Sequence, residues 1–384
     1  MSTIRSVLVL LGEMSFHREI ILGISQQQEQ RGPWDLVRTR SRNLEHMLSF
    51  HQWDGIIAHV ADSGLAERLR KLPVPVVNIS RKLPETGLPT ISTDNRAIGK
   101  AAATYFLDKG FLHFAFLEMP DAFFSRERME GFTTTLKAAG FTPFALTKAA
   151  LKPIPAGDRV PEAREAWISW LEETEKPVAV FAATDSFAAR VNEFCREAGY
   201  AVPGKIAILG CDNEPITCLL NHPPRSSIDL GARLLGQRAA ELLDQLMAGK
   251  PQPANLRDTP PGPVITRQST DILAVDDPVV REVIRFVEKN LRQPLQVEDL
   301  CRAAGLSRRP LEIRLRKQLN RTPLALIHFI RLARARELLV STHQTIQEIA
   351  EHCGYRNAEV FSKTFRQNYG CPPGHYRRES PTAR

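Results

Sequence analysis

The stretch EIAEHCGYRNAEVFSKTFRQNYGCPP, residues Glu348–Pro373, predicts two short helices joined by a tight turn. The first helix is expected at Gln347–His352, and Gly354 breaks it. The run that follows is amphipathic: one face carries Val360, Phe361, Thr364 and Phe365, and another carries Lys363, Arg366 and Gln367. Two short helices around a glycine turn, the second of them basic, outline a unit that inserts a helix into the major groove of DNA.

The same pattern occurs twice in the C-terminal region. At an offset of 49 residues the paired positions are Leu300 with Ile349, Gly305 with Gly354, Arg314 with Lys363, Lys317 with Arg366, Gln318 with Gln367 and Pro323 with Pro372. A long helix from about Leu324 to Val340 is expected to join the copies. Two such helices on a rigid connector match successive major grooves, about 34 Å apart on one face of DNA.

The net positive charge lies almost entirely in this region. Residues 277–384 contain 20 Lys and Arg against 11 Asp and Glu, whereas residues 1–276 contain 31 against 32. A basic domain joined to a near-neutral body is typical of a polyanion-binding module, although a solvated basic surface would give the same count.

The first 270 residues or so predict a different fold, in which apolar strands alternate with helices. Such alternation predicts parallel sheets covered by helices, here in two halves at about Met1–Leu117 and Glu118–Pro253. The proline-rich stretch PQPANLRDTPPGPVITRQSTD, which ends at Asp271, indicates a boundary near Asp271–Asp276. We therefore predict an α/β two-lobed domain at residues 1–271 and an all-α domain at residues 277–384.

Several classes of protein are disfavoured by what the sequence lacks. No apolar run reaches the roughly 18 residues of a membrane span, and SVLVLL near the N-terminus is better interpreted as a buried strand than as a signal peptide. The six cysteines form no CxxC pair, which favours reduced thiols and a cytoplasmic protein. The motifs GxSxG, GxxxxGK[ST] and HExxH are missing, and the ten histidines are scattered. We expect no enzyme, no cofactor and no metal; an α/β hydrolase or kinase is the disfavoured alternative.

The helical region resembles the AraC-type transcription-activator domain. The motifs IAEHCGY, FSKTFR and GCPPGHYR carry the resemblance, which extends over Asp277–Arg378. It implies sequence-specific binding of double-stranded operator DNA by two helix-turn-helix units.

The residues expected to contact DNA lie on the second helix of each unit. Base edges are within reach of the N-terminal turns, and the phosphates are within reach of basic residues farther along. The predicted base-edge residues are Arg308, Arg309, Glu312, Asn357, Ala358, Glu359, Ser362 and Lys363, and the predicted phosphate contacts are Arg316, Lys317, Arg321 and Arg366. Family members often have a basic residue where Ile313 stands, which reduces the expected base readout from the first unit. For each single contact, a plain solvated role is the alternative.

The N-terminal region resembles the sugar-sensing core of LacI/GalR-type repressors, which is similar to periplasmic sugar-binding proteins. STDNRAIGKAAATYFLDKGF, FSRERMEGF, ATDSFAARV and LGCDNEPIT occur in that order, and the resemblance covers Ser6–Ser269. A sensor of this type ahead of an AraC-type domain implies a pentose-responsive activator with xylose as the first expected effector. It also implies a homodimer. RNA polymerase is a further expected partner, to which the sugar could expose a surface if it does not act through DNA affinity. A purine, another sugar or a partner protein stays open as the signal.

The predicted effector site combines carboxylates, an arginine and aromatic rings. Asp185 and Asp212 follow apolar strands at the edge where this fold binds ligands, and Arg128 matches the sugar-holding arginine of the family. Asn213 is a further contact, and Phe16 and Phe124 are expected to cover the apolar side of the ring. The alternatives are helix capping for the two carboxylates and hinge packing for the two phenylalanines.

Overall fold

The computed structural model describes residues 4–13, 15–31, 34–147, 150, 162–220, 222–253, 256, 258–271, 277–319, 321–369 and 371–379. The chain divides into two compact units: the main boundary follows Asp271, and the short segment Asp108–Leu112 groups with the C-terminal unit. Residues 272–276, where the sequence analysis places the linker, lie outside the described ranges.

The first sheet of the N-terminal unit has four parallel strands in the order β2-β1-β3-β4. These are β1 (Arg5–Leu10), β2 (Trp34–Thr39), β3 (Gly55–Ala58) and β4 (Val76–Asn78). All of β3 and the last four residues of β1 are buried, because helices cover both faces of the sheet. The helices packed on it are α1 (Ser15–Arg31), α2 (Leu44–Phe50), α3 (Ser63–Arg70) and α9 (Ala232–Met247).

The second sheet has six strands in the order β10-β9-β8-β7-β5-β6, and only β10 is antiparallel to its neighbour. The strands are β5 (His113–Leu117), β6 (Phe144–Leu146), β7 (Val178–Ala182), β8 (Ile206–Cys211), β9 (Ser226–Ile228) and β10 (Val264–Ile265). The remaining helices of this unit are α4 (Asn95–Asp108), α5 (Phe123–Ala138), α6 (Glu162–Glu173), α7 (Asp185–Glu197) and α8 (Pro215–Leu219).

The division between the lobes differs from the one predicted from the sequence. The predicted break after Leu117 is wrong, because β5 pairs with β6 and β7 in the second sheet. Helix α9 also lies on the first sheet, although it follows strands of the second. The chain therefore passes between the lobes more than once, which a linear division of the sequence cannot represent.

The chain segments that connect the two lobes lie side by side. Thr93 and Thr259 form a parallel bridge, and the Asp94 amide donates to the Thr259 carbonyl at 2.8 Å. The Thr93 hydroxyl donates to the Leu230 carbonyl at 3.0 Å. This bundle of extended segments has the form of a hinge between two α/β lobes.

Helices α4 and α5 cross in direct backbone contact. A Cβ atom at Gly131 would lie 2.1 Å from the Arg96 carbonyl oxygen, and one at Gly99 would lie 2.0 Å from the Arg128 carbonyl oxygen. Only glycine permits this approach. The crossing fixes the position of α5, which carries predicted site residues on its first turns.

The C-terminal unit consists of helices. They are α10 (Pro278–Lys289), α11 (Val297–Ala304), α12 (Arg308–Leu319), α13 (Pro323–Ser341), α14 (Ile346–His352), α15 (Ala358–Tyr369) and α16 (Pro373–Glu379). The long α13 contributes Leu326 and Ile327 to an aliphatic core with α10, α11 and α12. It contributes Leu332 and Leu339 to a second core, rich in aromatic side chains, with α14, α15 and α16. The unit is thus a pair of helix-turn-helix subdomains on a shared helix.

Candidate functional site

The loop after β8 holds the carboxylate that faces Arg128. Asp212 and Asn213 have left-handed backbone angles, with φ of 115° and 50°. The Asp212 amide donates to the Ile228 carbonyl at 3.0 Å, and the Asn213 amide donates to the Ser227 hydroxyl at 2.9 Å. Non-glycine residues in this region are uncommon and concentrate at functional sites, where neighbouring contacts hold them in place.

Arg128 projects from α5 across the ends of β7 and β8. Its side chain is buried, and Nε donates to the Asn95 amide oxygen at 3.1 Å. One terminal nitrogen donates to the carbonyl oxygen of Ala183, directly after β7, and Nη1 lies 3.9 Å from the Asp212 carboxylate. Two of the predicted residues, Arg128 and Asp212, are therefore brought together at the carboxyl ends of the strands, where ligands bind in this class of fold.

Phe124 lies next to this pair. The Arg128 guanidinium carbon is 4.8 Å from the centre of the Phe124 ring, within the range of a cation–π contact. The backbone amides of Phe123 and Phe124 donate to the carbonyls of Lys82 and Arg81 at 2.9 and 2.8 Å. Those carbonyls belong to the loop after β4, so the first turn of α5 joins the second lobe to the first.

The carboxyl groups of Asp212 and Asp185 are weaker acids than ordinary carboxyl groups. Burial raises the pKa of Asp212, and the nearby Asp185 raises it further, while the Arg128 guanidinium lowers it. Burial also raises the pKa of Asp185. Carboxyl groups with raised pKa values at strand ends are a frequent feature of ligand sites.

Asp185 is held by the protein's own groups. It is 1% exposed, and its Oδ2 accepts from the Glu214 amide at 2.8 Å and from the Cys218 thiol at 3.2 Å. Its carbonyl accepts from the buried Arg225 at 3.1 Å. Direct contact between Asp185 and an effector stays a prediction, and the contacts seen give Asp185 a role in holding the loop that carries Asp212.

Asn213 forms a chain of polar contacts behind Asp212. Its Nδ2 donates to the Asp229 carboxylate at 3.2 Å, and its Oδ1 accepts from Arg267 at 2.8 Å. Both polar ends of the side chain are thus engaged by the protein, so its predicted effector contact also stays a prediction.

On the first lobe, Phe16 is half-buried against the core formed by β1, α1 and α9. Its ring centroid is 5.6 Å from that of His17, which in turn is 5.0 Å from that of His59. Neither histidine is among the effector contacts predicted from the sequence. The carboxylates were predicted because they come after the carboxyl ends of parallel strands, and the same criterion applies to these histidines. His59 directly follows β3, and His17 lies in the first turn of α1, the helix after β1.

In the first helix-turn-helix subdomain, Gly305 has φ of 60° and joins α11 to α12. Arg308 forms an ion pair with Glu312 one turn later, at 2.9 Å. The predicted DNA-contacting residues Arg309, Arg316 and Lys317 are exposed. Ile313 is 60% exposed, so an apolar side chain stands on the same helix among them.

In the second subdomain, Gly354 has φ of 70° and precedes α15. Asn357 caps that helix, since its Oδ1 accepts from the Val360 amide at 2.9 Å, and the Ala358 amide donates to Gln347 at 3.2 Å. Glu359 is exposed on the first turn of α15. Further along, a concave surface is lined by Ser362, Lys363, Arg366, Gln367 and Pro372. Most of the predicted contact residues therefore lie on the second helix of each subdomain, and Asn357 directly precedes α15. Arg321 is an exception, because it lies between α12 and α13, with its guanidinium carbon 4.0 Å from the centre of the Phe329 ring.

Arg331 of α13 ties the two subdomains together. It is 7% exposed, and its Nη2 donates to the Gln293 carbonyl at 2.6 Å, in the loop before α11. A Cβ atom at Gly354 would lie 2.0 Å from the Leu291 carbonyl oxygen and 2.6 Å from Arg331 Nη2. The glycine turn of the second subdomain thus packs on the same loop of the first, which limits their relative motion.

Two further classes of site were sought in the described part of the chain. No helix there is long and apolar enough to cross a membrane. Within the same residues, His, Cys, Asp and Glu side chains do not gather in groups of three or more that would hold a metal ion.

Comparison with protein families gives a match in each unit. A periplasmic binding protein-like domain matches residues 103–270, and a helix-turn-helix domain matches residues 300–379. The xylose operon regulatory protein of Escherichia coli (strain K12) is 29% identical over 97% of this chain and 96% of its own length. The protein of that name from Haemophilus influenzae is 27% identical over 94% of this chain and 95% of its own length.

Solved structures agree with this assignment. The structure of the xylose-binding transcription activator xylR has a TM-score of 0.62 and 27% identity, and the match covers 99% of each chain. The transcriptional regulator CelR–cellobiose complex has a TM-score of 0.55 and 21% identity over 70% of this chain and 86% of its own, which shows the fold of the sensor part alone. From both units together, the chain is a transcription regulator with a periplasmic binding protein-like unit ahead of a helix-turn-helix unit, and it resembles the xylose operon regulatory proteins along nearly its whole length.

Proposed function

We propose that this chain is a sugar-responsive transcription activator whose effector is xylose or a closely related pentose. The observation that carries the proposal is the grouping of Arg128, Asp212 and Phe124 at the strand ends of the second lobe. Sugar hydroxyls both donate and accept hydrogen bonds, so a carboxylate and a guanidinium suit them, and an aromatic ring suits the C–H face. The names of the two similar proteins, a xylose operon regulator and a xylose-binding activator, support the choice of a pentose.

The geometry also suggests how the effector acts. The first turn of α5 carries Phe124, leads to Arg128 and donates two amides to the loop at Arg81 and Lys82. Arg81 is in turn paired with Asp258 at 3.1 Å, next to the hinge segments. An effector held by Arg128 and Phe124 would therefore stabilise the arrangement in which the lobes are joined. Closure of two lobes around a hinge is a standard way to change the surface that a domain presents.

The output side of the proposal is operator DNA. The two recognition helices present Arg308, Arg309, Lys363 and Arg366, and both subdomains share α13. We propose that two chains form a homodimer through their sensor domains, as LacI-like proteins do, so that effector-induced closure changes the spacing of the DNA-binding domains. Contact with RNA polymerase would then produce activation.

The test is calorimetric titration of the full chain with D-xylose, L-arabinose, D-ribose, D-glucose and adenine. We expect D-xylose or another pentose to bind. Asp212→Asn replaces an acceptor oxygen by an amide donor, and Arg128→Ala removes the guanidinium. Each should weaken that binding at least tenfold, because a lost hydrogen bond that leaves its partner unsatisfied costs about 1–3 kcal/mol. Arg126→Ala, on the exposed face of the same helix, is the matched control and should bind as the wild type does.

Repeating the titration with a saturating DNA duplex, selected by the full chain from a random-sequence pool, tests the regulatory link. If effector and DNA are coupled, the effector affinity must change by the factor by which effector changes DNA affinity. If adenine binds and the sugars do not, the proposal that the effector is a pentose is wrong. If Asp212→Asn and Arg128→Ala bind the effector with wild-type affinity, the proposed location of the site is wrong.

A further inference from the structure

The first lobe contains a pair of histidines on the same side as the strand ends. His59 follows β3 directly, and His17 lies in the first turn of α1, which the chain enters from β1. Because β1 and β3 are neighbouring parallel strands, their carboxyl ends meet at one edge of the sheet. The two imidazole rings pack edge to face with centroids 5.0 Å apart.

His17 is buried without a protein partner for its ring. It is 4% exposed, and neither ring nitrogen has a hydrogen-bonding partner within the described residues. A buried polar group of this kind costs about 1–3 kcal/mol when it stays unsatisfied. Such a group in a fold that binds ligands at this edge points to a polar ligand that completes its hydrogen bonds.

Both rings are neutral. Burial lowers the pKa of His17 to about 3, and the facing His59 and Arg38 lower it further. Burial lowers the pKa of His59 to about 4, and Lys82 contributes to the decrease. A neutral imidazole offers one donor and one acceptor, which is the same combination that a sugar hydroxyl offers.

The edge of the first sheet that carries the two histidines also carries the loop after β4, because β3 and β4 are neighbouring parallel strands. Lys82, whose charge acts on His59, belongs to the loop whose carbonyl accepts from the Phe123 amide at 2.9 Å. The next residue of that turn, Phe124, packs under Arg128, which faces Asp212. The loop after β4 therefore joins the edge of the first sheet, where the histidines lie, to the helix turn that carries the candidate site of the second lobe.

We infer that His17, packed against the edge of His59, is the effector contact of the first lobe and hydrogen-bonds to a hydroxyl group of the bound sugar. The inference rests on the proposed function and deepens it, since it names the residue through which the first lobe senses the ligand. The Phe16 ring, whose centroid lies 5.6 Å from that of His17, would cover the apolar face of the sugar on the first-lobe side.

The test is calorimetric titration of the full chain with D-xylose. His17→Phe keeps an aromatic ring and removes both nitrogens, so we expect a loss of affinity on the order of tenfold or more. His17→Gln keeps a donor and an acceptor and should recover part of it. His51→Phe is the matched control: His51 packs on Trp53 ahead of β3, at the other edge of the sheet, and its replacement should leave affinity unchanged.

A measurement on the unmutated chain guards against a variant that does not fold. With nitrogen-15 in the ten histidines, the ring resonances of His17 should move on addition of saturating D-xylose. Unchanged His17 resonances at saturation, or wild-type affinity in a folded His17→Phe, would overturn the inference and leave the proposed function standing. If D-xylose and the other sugars fail to bind the wild type, the proposed function is overturned and the inference with it.

Discussion

The candidate effector site and the candidate DNA-binding surfaces use charged residues in opposite ways. Arg128 and Asp185 are 4% and 1% exposed, and each is bonded to backbone groups of neighbouring segments. Arg309 and Lys363, by contrast, are exposed on the second helices of their subdomains. A buried charge must be matched by specific partners, whereas an exposed one is solvated and contributes through the overall field. Substitutions in the two regions should therefore affect different properties of the protein.

The largest effect on stability is expected for Asp185→Ala. It removes the acceptor of the Glu214 amide and the Cys218 thiol, and it takes away the carboxylate that most strongly stabilises the charge of the buried Arg225. We expect roughly 3 kcal/mol of destabilisation. All four tryptophans lie in the sensor domain, so urea unfolding followed by tryptophan fluorescence reports on this domain.

The matched control for this substitution is Asp212→Asn. The Asp212 side chain is 27% exposed, and its contact with Arg128 is long, at 3.9 Å. The free energy of unfolding of Asp212→Asn should therefore lie within about 1 kcal/mol of the wild-type value, while its effector affinity falls. Equal destabilisation by the two substitutions would show that the carboxylates have the same role, which would contradict the distinction drawn here.

The next largest effect on stability should come from the turn glycines. They test whether the C-terminal domain also contains a position where tight backbone packing tolerates no side chain. At Gly354 a Cβ atom would lie 2.0 Å from the Leu291 carbonyl oxygen, whereas at Gly305 nothing lies within 4 Å. Both have positive φ, so both alanine variants incur about 1 kcal/mol of backbone strain. Gly354→Ala should incur roughly 1 kcal/mol more, from displaced backbone. Urea unfolding followed by far-ultraviolet circular dichroism measures the free energy of unfolding of each variant. Equal losses in Gly354→Ala and Gly305→Ala would contradict the crowding at Gly354.

The smallest effects on stability should come from the exposed basic residues. Arg309→Ala and Lys363→Ala should each change the free energy of unfolding by less than about 0.5 kcal/mol. Each should weaken DNA binding, and a residue that contacts a phosphate should reduce the slope of log affinity against log salt by about 1. Fluorescence anisotropy of a labelled duplex at several salt concentrations gives the slope. An unchanged affinity and slope in both variants would remove these residues from the interface.

The sequence by itself determined the local and compositional features. The repeat around Gly305 and Gly354 was visible because a left-handed turn between two helices requires glycine, and both glycines have positive φ. The long connector, expected at Leu324–Val340, is observed at Pro323–Ser341. The alternation of apolar strands with helices indicated the α/β class, because a parallel sheet buried on both faces consists of near-continuous apolar runs.

Only the tertiary structure decided which residues meet. The predicted break at Leu117 failed because strand pairing and helix packing depend on contacts between distant segments, such as β5 with β7 and α9 with the first sheet. Asp185 and Asp212 look alike in the sequence, since each follows an apolar strand. Their roles separate only when the Glu214 amide is seen to bond to Asp185 and Arg128 is seen to face Asp212. His17 and His59 are 42 positions apart in the chain, and their pairing follows from the register of β1 on β3. Local patterns depend on the conformational preferences of neighbouring residues, whereas a site is formed by groups that folding brings together from far apart.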